Sequence, residues 1–271
     1  MSQHRARRRF GQNFLHDPSI LHRMVDSIDP RPGQCCIEIG SGLGALTRPL
    51  LERARALVAI ELDRDLIEPL RRCCDGAGEL EIIQADALGL DFACFRQGPE
   101  KLRVIGNLPY NIATPLLFHV TGFAEHLEDA HFLLQKEVVE RMAAGAGQAS
   151  YGRLSVMIQY RCRVEPLFDV LPNAFRPVPK VTSSWVRLTP LSRPPRGTWD
   201  DEPRLAEVVA RAFGQRRKTL RNALRGMISE QQIKAAGIEP SARAETIDLD
   251  HYLRLAEVMA KRSPGNTPLR A

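Results

Sequence analysis

The sequence predicts an α/β fold, in which helices cover a parallel sheet, followed by a small all-α carboxy-terminal domain. Short apolar runs alternate with stretches of helical periodicity across residues 35–134, a rhythm typical of parallel strands joined by helices. A proline-rich passage at residues 190–203 then interrupts the pattern. Beyond this passage only helical signals remain. We therefore expect one domain at residues 1–190 and a second at residues 191–271.

The individual elements follow from local signals in chain order. Asp17 can cap a helix at residues 17–28, and Pro18 suits its first turn. Strands are predicted at residues 35–39, 56–60, 80–84, 104–105, 131–134, 161–170 and 183–188. Helices are predicted at residues 43–53, 63–73, 115–120, 151–160, 205–213, 219–227 and 249–260.

The composition favours a polyanionic partner. The 271 residues carry a net charge of +6, with a pI near 9.2. Basic residues concentrate in two regions, residues 1–23 and residues 204–225, and each region contains a single acid. Such stretches suit a phosphate backbone, although a solvated helix face would show the same pattern.

Other classes of protein are disfavoured. No apolar run approaches the roughly 18 residues that a membrane span needs, and the basic amino terminus lacks the apolar stretch of a secretory signal. The six cysteines do not show zinc-site spacing, so we expect reduced thiols in a cytoplasmic protein and no metal site.

A glycine-rich turn follows the first predicted strand of the sheet. Gly40, Gly42 and Gly44 come directly after residues 35–39 and precede a helix, so the backbone can turn tightly against a ligand. By itself this pattern fits a dinucleotide, a nucleoside cofactor or an ordinary turn.

Two acids end the next two strands. Glu61 can accept hydrogen bonds from both hydroxyls of a ribose, and Asp86 can accept from an adenine amine. The Gly-x-Gly-x-x-Gly spacing that favours a pyrophosphate is absent, which favours S-adenosylmethionine over a dinucleotide.

The fourth strand runs into Asn107-Leu108-Pro109-Tyr110. The lone pair of an adenine amine is delocalised into the ring, so acceptors must hold its N–H bonds while the nitrogen pyramidalises. The side chain of Asn107 and the carbonyl of Leu108 can supply two such acceptors. Pro109 stiffens the turn, and Tyr110 offers a face on which a base can stack.

With these motifs the sequence resembles the ribosomal RNA adenine dimethyltransferase family, and most closely its bacterial small-subunit branch, which confers kasugamycin sensitivity. The resemblance covers nearly the whole chain. The matching blocks are residues 9–15, 38–44, 60–63, 107–110, 134–138, 151–156, 175–181 and 213–219. Ser41 departs from the pattern, since these enzymes usually carry proline there.

The resemblance implies a Rossmann-like class I S-adenosylmethionine methyltransferase sheet, and it implies roles for individual residues. Asn13, Leu15 and Gly40 should contact the cofactor, Glu61 should hold its ribose and Asp86 its adenine amine. Asn107 should lie between cofactor and substrate. The target adenine should lie between Tyr110 and Phe175.

The implied reaction is N6,N6-dimethylation of two adjacent adenosines in the loop of the 3′-terminal hairpin of 16S rRNA, through in-line displacement at the sulfonium methyl. The target bases must be extruded from their stack. The expected partner is small-subunit rRNA or the pre-30S particle. The protein is expected to act as a monomer and not to bind a membrane. Four basic residues should grip the RNA phosphates: Arg216, Arg217, Lys218 and Arg221.

Three alternatives stay open at the level of sequence. One is the sister branch that methylates large-subunit rRNA and gives macrolide resistance, although the extended tail argues against it. Another is a non-catalytic RNA-binding assembly or transcription factor with this fold, which degraded cofactor positions would favour. The last is a nicotinamide oxidoreductase, which the glycine spacing disfavours.

Overall fold

The computed structural model describes residues 13–96, 98–215 and 217–260. Its strands are β1 (Phe14–Leu15), β2 (Cys35–Ile39), β3 (Ala56–Glu61), β4 (Glu79–Gln84), β5 (Leu102–Asn107), β6 (Leu127–Gln135), β7 (Cys162–Val170), β8 (Phe175–Arg176) and β9 (Ser183–Pro190). Its helices are α1 (Pro18–Ile28), α2 (Thr47–Ala54), α3 (Arg64–Cys73), α4 (Ala113–Gly122), α5 (Lys136–Ala143), α6 (Arg153–Arg161), α7 (Glu202–Phe213), α8 (Leu220–Ala223), α9 (Glu230–Ala235) and α10 (Leu249–Ala260). None of the described helices combines the length and the apolarity that crossing a bilayer requires.

The main sheet has seven strands in the order β4-β3-β2-β5-β6-β9-β7. The first five run parallel, whereas β9 lies antiparallel between β6 and β7. Successive residues of β5 are buried, as expected when both faces of a sheet are covered. The chain moves outward from β2 to β3 and β4, then returns to place β5 on the other side of β2. This reversal is the switch point at which open α/β sheets bind ligands.

Helix α1 is fixed at both ends. Asp17 accepts hydrogen bonds from the amides of Ser19 and Ile20, at 2.9 and 3.3 Å. At the other end Arg103 donates to the carbonyl of Ile28 at 2.7 Å while pairing with the buried carboxylate of Asp129 at 2.6 Å. The buried cation therefore ties the carboxyl end of α1 to β5 and β6.

A separate two-stranded sheet joins distant parts of the chain. Strands β1 and β8 pair antiparallel, with Phe14 opposite Arg176 and Leu15 opposite Phe175. The amide of His16 extends this pairing by donating to the carbonyl of Ala174 at 3.0 Å. Residues 14–16 are thereby held against residues 174–176.

The chain forms two compact units, and their residue ranges differ from those of the expected domains in one respect. The second unit includes Glu140–Arg161 as well as the chain from Leu191 onward, so the α/β unit is built from two stretches. Within the second unit Tyr151 packs against Phe213 with ring centroids 6.0 Å apart. The hydroxyl of Tyr160 donates to the carbonyl of Thr198 at 3.0 Å. Residues 140–161 thus supply part of the helical core.

The predicted strands and most predicted helices occur, with shifted ends. One expectation was wrong: residues 219–227 form only the four-residue helix α8 and then turns. The predicted parallel sheet also gains an antiparallel part, because β9 reverses direction before pairing with β6. Helices α5 and α9 and the β1–β8 pairing were not predicted.

Candidate active site

The glycine-rich turn leads from β2 towards α2. Gly40, Gly42 and Gly44 all have positive φ, at 75°, 59° and 86°. Side chains rarely adopt this conformation, so the turn depends on glycine. The amide of Gly40 donates to the carbonyl of Ile60 at 2.8 Å, which joins the turn to the end of β3. Ser41 is accommodated within the turn and is buried.

Glu61 ends β3 with its carboxylate held by backbone amides. One oxygen accepts from the amide of Gly42 at 2.9 Å and the other from the amide of Asp63 at 2.8 Å. Burial raises the pKa of Glu61, and these two amides oppose the shift. Each carboxylate oxygen keeps a further lone pair, so the group can still accept hydrogen bonds from two hydroxyls.

Asp86 lies at the corresponding position after β4. Its Oδ1 accepts from the amide of Leu88 at 3.0 Å and caps the 3-10 helix Ala87–Gly89. The cap fixes the carboxylate, while Oδ2 can still accept from a ligand amine.

Asn107 ends β5 with its side-chain amide oriented by the arm that precedes α1. Its Nδ2 donates to the carbonyl of Asn13 at 3.0 Å. A peptide carbonyl can only accept, so the amide nitrogen must face Asn13 and Oδ1 must face away from it. The Leu108 amide donates to the carbonyl of Leu133 at 3.2 Å, and the Ile112 amide closes the following turn on Pro109 at 3.1 Å. These bonds fix the loop that presents the acceptors.

Tyr110 lies in this turn with its hydroxyl restrained. The hydroxyl oxygen lies 2.6 Å from Oγ of Ser183, at the start of β9. Burial raises the pKa of Tyr110, so the ring stays neutral at physiological pH. Fixing one end of the ring leaves its face as the part available for stacking.

These side chains surround one cavity of about 260 Å³ in the α/β unit. Its wall contains eight of the ten residues predicted to bind the cofactor or the substrate, together with Gly42 of the glycine-rich turn and apolar neighbours. The eight are Asn13, Gly40, Glu61, Asp86, Asn107, Leu108, Pro109 and Tyr110. None of the described residues that line the cavity is basic. Two carboxylates and apolar walls suit a nucleoside, whereas a pyrophosphate would be expected to meet cations or a helix amino terminus.

The other two of these ten residues do not line the cavity. Leu15 and Phe175 pair across β1 and β8, and both pack in the hydrophobic core, with exposed fractions of 6% and 1%. The stacking role of Phe175 stays a prediction, since it requires the ring to leave this packing. The proposed cofactor contact of Leu15 also stays a prediction.

Phe14 also lines the cavity, although no role was predicted for it. A Cβ added at Gly42 would lie 3.3 Å from its ring, so the aromatic ring packs closely on the glycine-rich turn. Its position between Asn13 and Leu15 was the only available signal.

Glu38 lies buried in β2, just before the glycine-rich turn. Burial raises its pKa to about 7. The nearby side chains of Thr47 and Ser41 oppose this rise, although neither hydroxyl, nor one of the two carboxylate oxygens, makes a hydrogen bond of ordinary geometry among the described residues. Removal from water therefore dominates the titration of this group and favours its neutral form.

The basic residues expected to bind RNA belong to the second unit. Arg217 and Lys218 are exposed, and the guanidinium of Arg221 lies 3.7 Å from Glu230. Leu220 and Leu224 are fully buried, as expected for residues that pack inward. Arg216 lies outside the described residues.

The switch-point cavity and the strand order are those of Rossmann-like class I S-adenosylmethionine-dependent methyltransferases. Comparison with known proteins narrows this class. A family model described as ribosomal RNA adenine dimethylase matches residues 3–261. The chain belongs to that family.

Individual relatives extend the match to nearly full length. The ribosomal RNA small subunit methyltransferase A of Pseudomonas aeruginosa is 53% identical over 265 residues, covering 97% of this chain and 98% of the relative. The protein of that name from Aromatoleum aromaticum is 53% identical over 264 residues, with 97% and 98% covered.

Solved structures agree on the fold. The 23S rRNA methyltransferase ErmE is 27% identical with a TM-score of 0.72, over 92% of this chain and 100% of ErmE. A dimethyladenosine transferase from Plasmodium falciparum is 24% identical with a TM-score of 0.76, over 92% of this chain and 98% of that one.

Proposed function

We propose that the protein uses S-adenosylmethionine to dimethylate N6 of two adjacent adenosines in the loop of the 3′-terminal hairpin of 16S rRNA. The observation that carries the proposal is the oriented amide of Asn107 in the wall of a cavity of about 260 Å³ that also contains Glu61 and Asp86. The relatives that are 53% identical are named small-subunit methyltransferases, which favours that subunit over the large one.

The residues of the cavity fit the cofactor by their chemistry. Glu61 would hold the ribose hydroxyls, Asp86 the adenine amine, and Gly40 and Asn13 would border the methionine part. When bound, S-adenosylmethionine supplies an electrophilic methyl group on a sulfonium. The absence of cations from the described lining agrees with a ligand that has no phosphate.

The protein contributes acceptors and position. Oδ1 of Asn107 and the carbonyl of Leu108 would accept the two N–H bonds of the amine, which stabilises the pyramidal nitrogen over the planar one. Tyr110 would stack on the base and hold it in register. No strong general base is needed, because the nitrogen becomes acidic only as its new bond forms.

The wider context follows from the same proposal. We place the protein in the cytoplasm, acting as a monomer on a pre-30S particle during assembly of the small subunit. Arg216, Arg217, Lys218 and Arg221 would bind the rRNA phosphates.

The deciding experiment uses purified protein, labelled cofactor and small subunits that lack these methyl groups. The RNA is then digested and the labelled nucleoside is identified and mapped. We expect N6,N6-dimethyladenosine at two adjacent positions near the 3′ end. Label in large-subunit RNA would favour the sister branch, and absence of label would favour a non-catalytic RNA-binding role.

A further inference from the structure

Residues 171–182, which we call the rim loop, border the candidate active site. The loop is attached to the site at two points. Arg176 pairs with Phe14, which lines the cavity, and Ser183, directly after the loop, hydrogen-bonds to Tyr110 at 2.6 Å. The rim loop therefore lies beside residues that line the cavity.

The rim loop exposes apolar side chains. Leu171, Val178 and Val181 are 62%, 64% and 42% exposed, and they are three of the five large hydrophobic residues exposed in the described part of the chain. Water-exposed apolar groups that gather in one segment beside a site commonly mark a binding surface.

The rim loop also carries a positive charge. It contains Arg176 and Lys180 and no acidic residue. Both cations are exposed, and neither forms an ion pair with any described residue. The nearest acid along the chain, Asp169, is already paired with Lys136 at 2.6 Å. The charge of the loop is thus free to complement an anion.

Three prolines limit the freedom of the rim loop: Pro172, Pro177 and Pro179. Proline fixes φ, so less conformational entropy is lost when such a segment binds. Carbonyls of the loop are also engaged at both ends, because Ala174 accepts from His16 and Thr182 accepts from Lys136, each at 3.0 Å. The surface is therefore largely preorganised.

We infer that the rim loop binds the RNA strand that flanks the adenosine being methylated. The inference rests on the proposed function and adds a second RNA contact, in the α/β unit. Arg176 and Lys180 pair with phosphates, and Val178 and Val181 contact the sugar and base faces that extrusion of the target leaves exposed. The combination of unpaired cations and apolar side chains favours single-stranded RNA over an acidic protein surface.

The test compares the double variant Arg176→Gln/Lys180→Gln with a matched control, Lys101→Gln/Arg163→Gln. The control residues are also exposed and make no ion pair with described residues. Lys101 directly precedes β5, and Arg163 is the second residue of β7. Both therefore lie at the end of the sheet opposite the carboxyl ends of β2 to β5, where the cavity is. Steady-state methylation is measured on undermethylated small subunits and on their protein-free RNA, each at several salt concentrations, and cofactor binding is measured by calorimetry.

We expect the rim-loop variant to raise KM for RNA about tenfold with little change in kcat. The slope of log affinity against log salt should fall by about two, one for each lost phosphate contact. Cofactor affinity and the control variant should match wild type. A rim-loop variant with the same KM and salt slope as the control would overturn the inference.

Two further results distinguish the possible failures. Val178→Ser/Val181→Ser should raise KM without changing the salt slope, and an unchanged KM would remove the apolar contact from the inference. A defect of the charge variant only on assembled subunits, and not on protein-free RNA, would indicate a protein partner and overturn RNA binding by the loop. If wild type itself methylates no small-subunit adenosine, the proposed function fails instead.

Discussion

The side-chain amide of Asn107 and the main-chain carbonyl of Asn13 are joined by a hydrogen bond across 94 positions of sequence. This bond sets which end of the amide faces away from Asn13, because the carbonyl can engage only the nitrogen. In the proposed reaction, the arm that precedes α1 contributes to catalysis through its backbone. It orients the acceptor before any substrate arrives, which is the preorganisation on which electrostatic catalysis depends.

Asn107→Ala should remove the acceptor and lower kcat about 100-fold or more, with cofactor affinity within a few-fold of wild type. Asn107→Asp should be similarly impaired, because a carboxylate cannot donate to Asn13. One of its oxygens would instead be repelled by the carbonyl oxygen of Asn13. Turnover with purified small subunits and calorimetry with the cofactor measure the two effects. Unchanged turnover in Asn107→Ala would refute the role of this residue.

Glu61→Gln should weaken cofactor binding by about tenfold or more, since charge-assisted hydrogen bonds contribute more than neutral ones. The NH2 group of the new side-chain amide would also face a backbone N–H, either of Gly42 or of Asp63, and two donors cannot hydrogen-bond to each other. Calorimetry measures the dissociation constant, and Glu79→Gln, on an exposed residue at the start of β4, is the control. Equal affinities for the two variants would contradict the ribose-binding role.

Glu38 should make stability depend on pH. Its pKa rises from 4.5 to about 7 through burial, so between these values the folded chain holds a proton that the unfolded chain has lost. Stability should then fall as pH rises through this window, by about 3 kcal/mol in total.

Glu38→Gln cannot ionise and should lack this loss. Denaturant unfolding of both proteins between about pH 4 and pH 8 gives the difference in free energy of unfolding. Parallel stability curves for wild type and variant would show that Glu38 does not titrate in this range.

Gly106→Ala should destabilise the protein by about 2 kcal/mol, because the added methyl group overpacks the centre of the sheet. Its Cβ would lie 2.7 Å from a side-chain carbon of Leu108 and 2.8 Å from the carbonyl of Ile39. Gly89→Ala is the control, since nothing lies within 4 Å of its added Cβ. Thermal unfolding of both variants is sufficient, and equal midpoints would be the contrary result.

Arg217→Glu/Lys218→Glu should weaken binding to small subunits and flatten its salt dependence by about one unit of slope for each lost phosphate contact. Arg163→Glu/Arg193→Glu reverses two exposed charges outside this stretch and serves as the control. Sedimentation binding assays at several salt concentrations compare them. A salt slope equal to that of the control would mean that residues 217 and 218 are merely solvated.

The parts of the fold that the sequence could predict are those with local signals. Asp17 and Pro18 begin α1, and the run 35–39 is β2 in full, because capping and hydrophobic periodicity act over a few residues. The length of helix α8 was overestimated, because the buried positions of Leu220 and Leu224 also fit a short helix followed by turns.

The residues of the candidate site also differ in whether a local sequence signal predicts their position. Gly40, Glu61, Asp86 and Asn107 each follow a strand, and the carboxyl ends of parallel strands meet at one edge, so their convergence was predictable. The hydrogen bond from Asn107 to Asn13 and the burial of Phe175 were not predictable. Both depend on the β1–β8 pairing, which joins residues about 160 positions apart and leaves no periodic trace.

The assignment of Glu140–Arg161 to the helical unit limits how the molecule can be divided. Cutting the chain once, after Pro190, would separate Tyr151 from Phe213 and Tyr160 from Thr198. The amino-terminal fragment would then display bare aromatic surface and tend to self-associate. Attempts to obtain an isolated catalytic half should instead excise residues 140–161 and bridge the gap with a short linker.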